Sequence, residues 1–336
     1  MTILITGVAG FIGAHLCRAL RAAGRSLVGV DAFSHYYDPA LKRDRLASLC
    51  PGFEPIVLDL ADRAACETLF RDLRPSRVIH LAAQPGVRHA LHAPHDYADA
   101  NLIGFLNVLE GCRRTGSEHL IYASSSSVYG AAARAPFSEG QRIDQPLSLY
   151  AASKAANELM AYSYGHSHGL VSTGLRLFTV YGPWGRPDMA PVLFARAVLA
   201  GQPIEVYNHG RMRRDFTHVD DIVAGIIAAL DHPPGHAGDM PGDDGERDRI
   251  VPHRVFNLGN HRPVELERFI TIIEQAAGRR ALRRDRPLQA GDMIETLADI
   301  SAAREHLGYQ PQITIEQGLP GVVEWCRDYY RHEHAA

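Results

Sequence analysis

The sequence predicts an α/β protein, with a Rossmann-type doubly wound parallel sheet and a smaller α/β C-terminal lobe. Three observations predict this class. Short β-branched runs alternate with longer helical patterns through the first half of the 336 residues, as in a parallel sheet covered on both faces. The first apolar run leads directly into a glycine-rich segment, LITGVAGFIG. The length suffices for one large α/β unit and a second lobe.

Six strand-helix repeats account for the first half of the chain. The first helix is predicted over residues 11–23, because Ile12, Leu16 and Leu20 recur on one face and Gly24 follows as a stop. The predicted strands are short β-branched or aliphatic runs at residues 3–6, 27–30, 56–58, 78–81, 120–122 and 171–177.

The regular alternation of strands and helices ends after Gly182, where the proline-rich loop PWGRPDMAPV begins. Helices are predicted over 193–199 and 220–230, and strands over 204–207 and 255–258, the last returning to the main sheet. The Pro, Gly and Asp content of 231–249 predicts a mobile surface loop, and two helices with a short strand are expected after residue 264. We therefore expect a Rossmann domain over 1–178, with a return at about 216–260, and a second lobe built from 179–215 and 261–336.

Composition excludes several classes of protein. The net charge of −3 arises from 35 basic and 38 acidic residues, so no basic surface for nucleic acid or an anionic membrane is expected. No apolar stretch reaches the roughly 18 residues that a membrane span needs, and a strand at the start leaves no room for a signal peptide, which predicts a cytoplasmic protein. Five scattered cysteines without C-x-x-C spacing predict reduced thiols, and no metal site is expected, because His166 and His168 lack a third ligand of suitable spacing.

The glycine-rich segment predicts a dinucleotide site. Gly7 permits a tight turn, Gly10 allows the backbone to approach a pyrophosphate, and Gly13 allows close packing of helix and strand. The helix that begins at Phe11 and Ile12 would offer its free N–H groups to the phosphates. Asp31 ends the second strand, where its carboxylate would accept the ribose hydroxyls and repel a 2′-phosphate, so NAD is favoured over NADP.

Further cofactor contacts are expected at the ends of the third and fourth strands. Asp59 and the Leu60 backbone could meet the adenine edge, although Asp59 could equally be a helix N-cap. Asn101 is either a cofactor contact or a buried hydrogen-bonding asparagine. Small residues next to the cofactor are expected in the segment Leu81, Ala82, Ala83 and Gln84.

A phenol and an ammonium stand one helical turn apart in SLYAASKAA. Tyr150 and Lys154 share one helix face, and a neighbouring ammonium together with a positive nicotinamide would favour the phenolate of Tyr150. Tyr150 is therefore predicted to accept a proton from a sugar or alcohol hydroxyl. The serine run 124–127 follows the fifth strand at its carboxyl end, where open α/β sheets place ligands.

With these motifs the chain resembles an extended short-chain dehydrogenase/reductase of the nucleotide-sugar epimerase group. It is most similar to UDP-glucuronate 4-epimerases, through HYYDPALKRDRL (35–46), LAAQPGVRHAL (81–91), FTVYGPWGRPDMAP (178–191), RRDFTHVDDIV (213–223), FNLGNHRPVEL (256–266) and PLQAGDMIETLAD (287–299). One departure is AFS at 32–34, where relatives carry asparagine after the aspartate, and this loosens the assignment of the adenosine end.

The resemblance implies roles for residues as well as a fold. Ser125, Tyr150 and Lys154 match the catalytic serine, tyrosine and lysine, which implies C4 oxidation to a 4-keto sugar and return of the hydride to its other face. A homodimer is expected, through the helix bearing Tyr150 and the helix after the fourth strand. The UDP-sugar contacts implied are Arg88 for the substrate, Ser126, Ser127 and Thr179 for the uronate carboxylate, Arg186 and Arg214 for the diphosphate, and Asp292 for the uridine ribose.

Three alternatives stay open at this point. A UDP-glucose 4-epimerase would share all but the carboxylate contacts, and Thr179 and Gln289 favour the uronic acid. A UDP-glucuronate decarboxylase would carry a glutamate where Ser127 stands. A non-catalytic NAD-binding protein on the same fold is disfavoured by the complete set of reacting groups. Arg214 could instead form a surface ion pair with Asp215 or Asp220.

Overall fold

The computed structural model describes residues 1–131, 134–235, 251–288 and 293–331. The strands are β1 Thr2–Thr6, β2 Ser26–Asp31, β3 Ile56–Val57, β4 Arg77–His80, β5 His119–Ser125, β6 Ser172–Leu177, β7 Thr179–Tyr181, β8 Pro203–Tyr207, β9 Arg213–His218, β10 His253–Leu258, β11 Pro263–Glu265 and β12 Leu282–Arg286. The helices are α1 Phe11–Ala22, α2 Pro39–Leu49, α3 Arg63–Leu73, α4 Pro94–Tyr97, α5 Gly104–Thr115, α6 Leu149–His168, α7 Ala190–Ala200, α8 Val219–Asp231, α9 Leu266–Ala277, α10 Ser301–Leu307 and α11 Ile315–Tyr329.

A seven-stranded parallel sheet forms the centre of the protein. Its strand order is β10-β6-β5-β4-β1-β2-β3, so the direction of winding reverses between β1 and β4. The six predicted strands are confirmed, and β10 pairs with β6, which confirms the predicted return of the chain to the main sheet. The prediction for β5 was too short, since β5 pairs with β6 as far as Ser125 and Leu177. The switch point between β1 and β4 is where such sheets bind ligands.

Both faces of the main sheet are buried, as the apolar strands predict. Ile3 and Ile5 of β1 point into one core together with Leu16 of α1 and Ile226 of α8. Leu4 lies between them in sequence and therefore points into the opposite core, which α3, α5 and α6 cover. A parallel sheet needs this double cover, because each face carries aliphatic side chains.

The second lobe has its own apolar cluster, formed by α7, β8, β9, α9 and α11. A three-stranded sheet of order β11-β9-β7 and a two-stranded sheet of β8 and β12 complete it. The helices predicted over 193–199 and 220–230 are confirmed as α7 and α8, each longer by a few residues.

The prediction for the C-terminal segment was wrong in number. Two helices and one short strand were expected after residue 264, whereas the structure contains α9, α10, α11, β11 and β12 there. The additional helix α10 has only seven residues, too few to show a helical period, and it ends at Gly308 with φ +65°. Ala303 and Leu307 of α10 pack in the core of the main sheet. Most of the predicted surface loop at 231–249 lies outside the described residues.

Candidate active site

A cavity of about 780 Å³ runs along the carboxyl ends of the central strands and reaches the second lobe. Residues that follow β1, β2, β4, β5 and β6 line it, as do residues of the segment 179–189. The catalytic candidates Ser125, Tyr150 and Lys154 all face this cavity. The cofactor candidates that face it are Gly7, Gly10, Phe11, Ile12, Gly13, Asp31, Asp59, Leu60, Leu81, Ala82, Ala83 and Gln84.

The turn after β1 has room only for glycine at two positions. Gly7 has φ +71°, and a Cβ there would lie 2.7 Å from the Ala82 backbone nitrogen. A Cβ on Gly13 would lie 2.2 Å from the Gly7 carbonyl oxygen, so helix α1 could not approach the turn with any larger residue. Gly10 is the N-cap of α1 and gives no side-chain cap, which leaves the first N–H groups of the helix for a ligand. This cradle fits a dinucleotide pyrophosphate.

Two carboxylates mark the far end of the cavity. Asp31 is held in place, because its Oδ2 accepts the Ala9 N–H at 3.0 Å and its Oδ1 accepts the Phe33 N–H at 2.8 Å. Asp59 Oδ1 accepts the Ala61 N–H at 2.9 Å. The N-cap of α3 is Asp62, so the N-cap interpretation of Asp59 is wrong and its carboxylate faces the cavity.

Asn101 supports the cavity wall from behind. It is buried in the π-helical segment 98–103, and it is not among the described residues that line the cavity. Its Oδ1 accepts the Gln84 N–H at 2.8 Å, and its Nδ2 donates to the Gln84 carbonyl at 3.1 Å and to Ser153 Oγ at 2.9 Å. Of the two interpretations offered for Asn101, the structure supports the buried hydrogen-bonding residue.

The reacting groups come together between β5 and α6. Lys154 is buried, and its Nζ donates to the Ala123 carbonyl at 3.0 Å. Burial lowers the pKa of this ammonium from 10.5 to about 8. Burial raises the pKa of Tyr150 above 10, while a hydrogen bond with Ser125 and the charge of Arg186 act in the opposite direction. The expected lowering of the Tyr150 pKa is therefore outweighed by desolvation in the protein itself.

A buried ion pair beneath these groups was missed by the sequence analysis. Glu158 lies one turn beyond Lys154 on α6, and its Oε2 accepts Arg176 Nη2 at 2.7 Å, with both side chains only 5% exposed. Glu158 Oε1 accepts Arg176 Nε at 2.9 Å and Ser124 Oγ at 2.5 Å. The spacing of Tyr150, Lys154 and Glu158, four residues each, was the available signal. The pair fixes the end of β5 next to Ser125.

Ser126, Ser127 and Thr179, which were predicted to contact the sugar, line the same cavity as Tyr150. Ser126 and Ser127 begin a 3₁₀ turn directly after β5, and Ser127 donates its N–H to Ser125 Oγ at 3.2 Å. Thr179, at the start of β7, faces the same cavity. These groups offer neutral hydroxyl donors in the cavity that Tyr150 also lines.

One of the three predicted arginines faces the cavity. Arg186 does, and it forms an ion pair with Asp188 at 2.6 Å. Tyr36, between β2 and α2, donates to the same Asp188 carboxylate at 2.9 Å, which connects two segments that are distant in the chain. Neither Tyr36 nor Asp188 had been predicted, although both lie in the segments that carry the family resemblance.

Arg88 and Arg214 are not among the described residues that line the cavity. The Arg88 guanidinium lies 5.3 Å from the centre of the Tyr207 ring. Arg214 Nη1 donates to the carbonyls of Arg213 and Ile294 at 3.1 and 3.0 Å. Asp292 and Gln289 lie outside the described residues.

The carboxylates suggested as alternative partners of Arg214 have other contacts. Asp220 forms an ion pair with Arg18 at 2.9 Å. Asp215 is buried and accepts backbone N–H groups of Asn260, His261 and Ala298.

Lys42 is a further residue that the sequence analysis missed. It is buried on α2 and lines the cavity, and its Nζ donates to the carbonyl and the Oγ of Ser34 at 3.0 and 3.1 Å. Burial lowers its pKa, while nearby Asp31 raises it. A cation thus stands next to the carboxylate that was predicted to bind the ribose.

The described residues contain no cluster of three metal-binding side chains. All five cysteines are buried free thiols. Over the same part of the chain, no helix combines the length and apolarity needed to cross a membrane.

Comparisons with known proteins agree with this geometry. The model of the NAD-dependent epimerase/dehydratase family matches residues 3–240. An uncharacterized 37.6 kDa protein of Escherichia coli O111:H- is 49% identical over 98% of this chain and 100% of its own length. A probable UDP-glucuronate 4-epimerase of Rhizobium meliloti is 43% identical over 99% of both chains.

A solved structure has the same overall architecture. The crystal structure of UDP-glucuronic acid 4-epimerase from Bacillus cereus, in complex with UDP-glucuronic acid and NAD, matches with a TM-score of 0.87 and 31% identity. The match covers 98% of this chain and 100% of that one.

Proposed function

The chain belongs to the NAD-dependent epimerase/dehydratase family, and on that premise we propose that it converts UDP-glucuronate to UDP-galacturonate by NAD-dependent epimerisation at C4. One observation carries this proposal. A single cavity joins the glycine turn and Asp31 at one end to Ser125, Tyr150 and Lys154 at the other. Such a cavity can hold a dinucleotide with its nicotinamide next to an alcohol.

The chain's residues fit NAD. The glycine turn leaves no space for a Cβ at Gly7 or Gly13, so it can pack closely against β4 and α1, and the first N–H groups of α1 are left for the pyrophosphate. Asp31 would accept the ribose hydroxyls, and its charge disfavours a 2′-phosphate. Asp59 and Leu60 are proposed for the adenine end. When bound, NAD takes up and returns a hydride at C4 of the sugar, so no net redox change results.

Tyr150 is the proposed acid and base. Its phenolate would accept the proton of the C4 hydroxyl, and the resulting phenol would later return it, while Ser125 Oγ donates a hydrogen bond to the same sugar oxygen. Because burial raises the Tyr150 pKa, the phenolate needs positive charge nearby. Lys154, one turn along the helix, and Arg186, in the cavity, would supply it.

The uronic acid poses a chemical hazard. Its 4-keto form is a β-keto acid, which loses carbon dioxide when the bond to the carboxylate aligns with the carbonyl π system. We propose that the hydroxyls of Ser126, Ser127 and Thr179 hold the carboxylate out of that alignment. Arg186 is proposed to bind the diphosphate through its planar fork.

Substrate choice gives the test of this proposal. We expect a higher kcat/KM for UDP-glucuronate than for UDP-glucose, because the hydroxyl cluster has a carboxylate to bind only in the former. The reverse order would move the enzyme to the neutral sugar. A pentose product would make it a decarboxylase.

The domain division is also proposed from the packing. Residues 1–178 with the return at about 216–260 would form the NAD-binding domain, and 179–215 with 261–336, apart from α10, the substrate lobe. Separate apolar clusters for the main sheet and for the segments around β8 and β9 support this. Since α10 packs with α8 and β10, we assign α10 to the first domain.

A homodimer through α5 and α6 is proposed as well. Leu159 and Tyr162 of α6 are 68% and 52% exposed, and Ile103, which precedes α5, is 45% exposed. An apolar surface of this kind favours a partner. Light scattering should give twice the chain mass, and Leu159→Glu should give the monomer. We propose a cytoplasmic location, in which the five buried thiols would stay reduced.

A further inference from the structure

Arg45 of α2 is a buried cation that forms no ion pair with any residue that the structure describes. It is 0% exposed. Its Nη1 donates to the Ala9 carbonyl at 2.7 Å and to the Tyr37 hydroxyl at 3.2 Å. Its Nε donates to the Trp184 carbonyl at 2.8 Å, and its Nη2 has no hydrogen-bond partner in the described structure. A buried charge in this state costs free energy, so its presence needs a physical reason.

The first carbonyl that Arg45 binds belongs to the glycine turn. Ala9 lies between Gly7 and Gly10, and its N–H is donated to Asp31. The Ala9 backbone is therefore held on one side by the carboxylate proposed for the ribose and on the other by Arg45. The guanidinium thus stands directly behind the turn proposed to receive the pyrophosphate. In a low-dielectric interior its charge is little screened and favours a doubly anionic ligand there.

The second carbonyl belongs to the segment that carries Arg186. Trp184 has φ +64°, a left-handed conformation that a residue with a bulky side chain adopts only when it is held. Arg45 binds the Trp184 carbonyl, and the Trp184 ring lies 5.4 Å from the ring of Trp325 and 5.1 Å from that of Tyr329. Arg186 follows two residues later and faces the cavity.

We propose that Arg45 is a positioning residue that couples dinucleotide binding to the placement of the substrate segment 182–189. Its rigid fork binds the Ala9 carbonyl through Nη1 and the Trp184 carbonyl through Nε, whereas a lysine would have to reach both carbonyls from a single nitrogen. A diphosphate at the glycine turn offsets the buried charge and tightens the link to Trp184. This inference rests on the proposed function for its effect on the UDP-sugar, but its effect on NAD binding does not require any sugar.

Tryptophan fluorescence reports on this link directly. The chain contains two tryptophans, Trp184 and Trp325, and their rings pack together at the end of this link that lies away from the glycine turn. NAD added to protein stripped of nucleotide should change the tryptophan emission of the wild type. Arg45→Met should lower NAD affinity roughly tenfold, the order expected for loss of one strong charge interaction, and abolish the emission change. Arg45→Lys keeps the charge, so it should lose less affinity but lose the emission change equally.

Arg43→Met is the matched control, because Arg43 is exposed on the same helix. It should bind NAD and change its emission as the wild type does. With UDP-glucuronate, Arg45→Lys should raise KM more than it lowers kcat, since Arg186 would be less well placed.

Three results decide the matter. If Arg45→Lys is folded and shows wild-type NAD affinity and the wild-type emission change, Arg45 has only a structural role and the inference is wrong. A wild type that binds NAD without any emission change would also overturn the coupling. A wild type that binds no NAD would instead overturn the proposed function itself.

Discussion

Glu158→Gln should destabilise the protein and impair catalysis together. The substitution keeps the shape of the side chain but removes the charge that offsets Arg176 in a site where both side chains are 5% exposed. The Glu158 carboxylate accepts three hydrogen bonds, from Arg176 Nε and Nη2 and from Ser124 Oγ. In glutamine an amide nitrogen replaces one carboxylate oxygen, so its N–H groups would face an N–H or O–H donor. Arg176 would then be a buried, poorly compensated cation.

The magnitude follows from this geometry. Removing one partner of a buried ion pair costs about 3–5 kcal/mol of unfolding free energy. Exposed pairs contribute up to about 1 kcal/mol, so Glu110→Gln, which acts on the more exposed pair with Arg113, is the control. Since Ser124 adjoins Ser125, displacement of the β5 end should also lower kcat by about tenfold or more.

Urea unfolding measures the first effect from the shift in midpoint at an unchanged m value. A second substitution, Arg176→Met, should recover much of the loss in Glu158→Gln, because it removes the uncompensated charge. A loss in Glu158→Gln no larger than that in Glu110→Gln would refute this account of the pair. Unchanged kcat would show that the pair does not position Ser125.

Four further predictions concern the cofactor and the reacting groups. Gly13→Ala should abolish bound NAD, measured by nucleotide release from the denatured protein, because its Cβ would lie 2.2 Å from a carbonyl oxygen, whereas Gly140→Ala meets open space and should retain NAD. Tyr150→Phe should retain NAD but lose turnover, and residual activity near that of the wild type would contradict the proton-transfer role. Thr179→Ala should release more of the pentose by-product, measured by chromatography, and a clean product would remove Thr179 from carboxylate control. Burial lowers the pKa of Lys154 from 10.5 to about 8, so the unfolded chain binds more protons than the folded protein between these pH values. The stability of the wild type relative to Lys154→Met should therefore rise with pH from about 8 to 10.5. A difference in urea midpoints that does not change with pH would contradict this.

Local patterns predicted the parts of the site that depend on short spacing. Gly7 and Gly13 could be identified because the strand-turn-helix unit requires them within a few residues of each other. Tyr150 and Lys154 are one helical turn apart, and Asp31 ends a strand whose neighbour carries the glycines. The parallel topology then brings these segments to one edge of the sheet, so all of them line one cavity.

The remaining parts depend on contacts between distant segments. Arg45 binds the carbonyl of Trp184, 139 residues away, and Tyr36 binds Asp188, 152 residues away. No periodicity or spacing in a single sequence encodes such pairs. Arg88 is another example, since its guanidinium lies against the ring of the distant Tyr207, and its assignment to the substrate stays a prediction. The effect of the Arg186 charge on the pKa of Tyr150 likewise depends on the approach of two segments that are distant in the chain.

The most direct test is proton NMR of the purified enzyme with UDP-glucuronate and no added NAD, following the anomeric signals over time. We predict the appearance of UDP-galacturonate, with the cofactor retained through both hydride transfers. A UDP-pentose product, or inertness toward UDP-glucuronate by an enzyme that epimerises UDP-glucose, would contradict the proposed reaction.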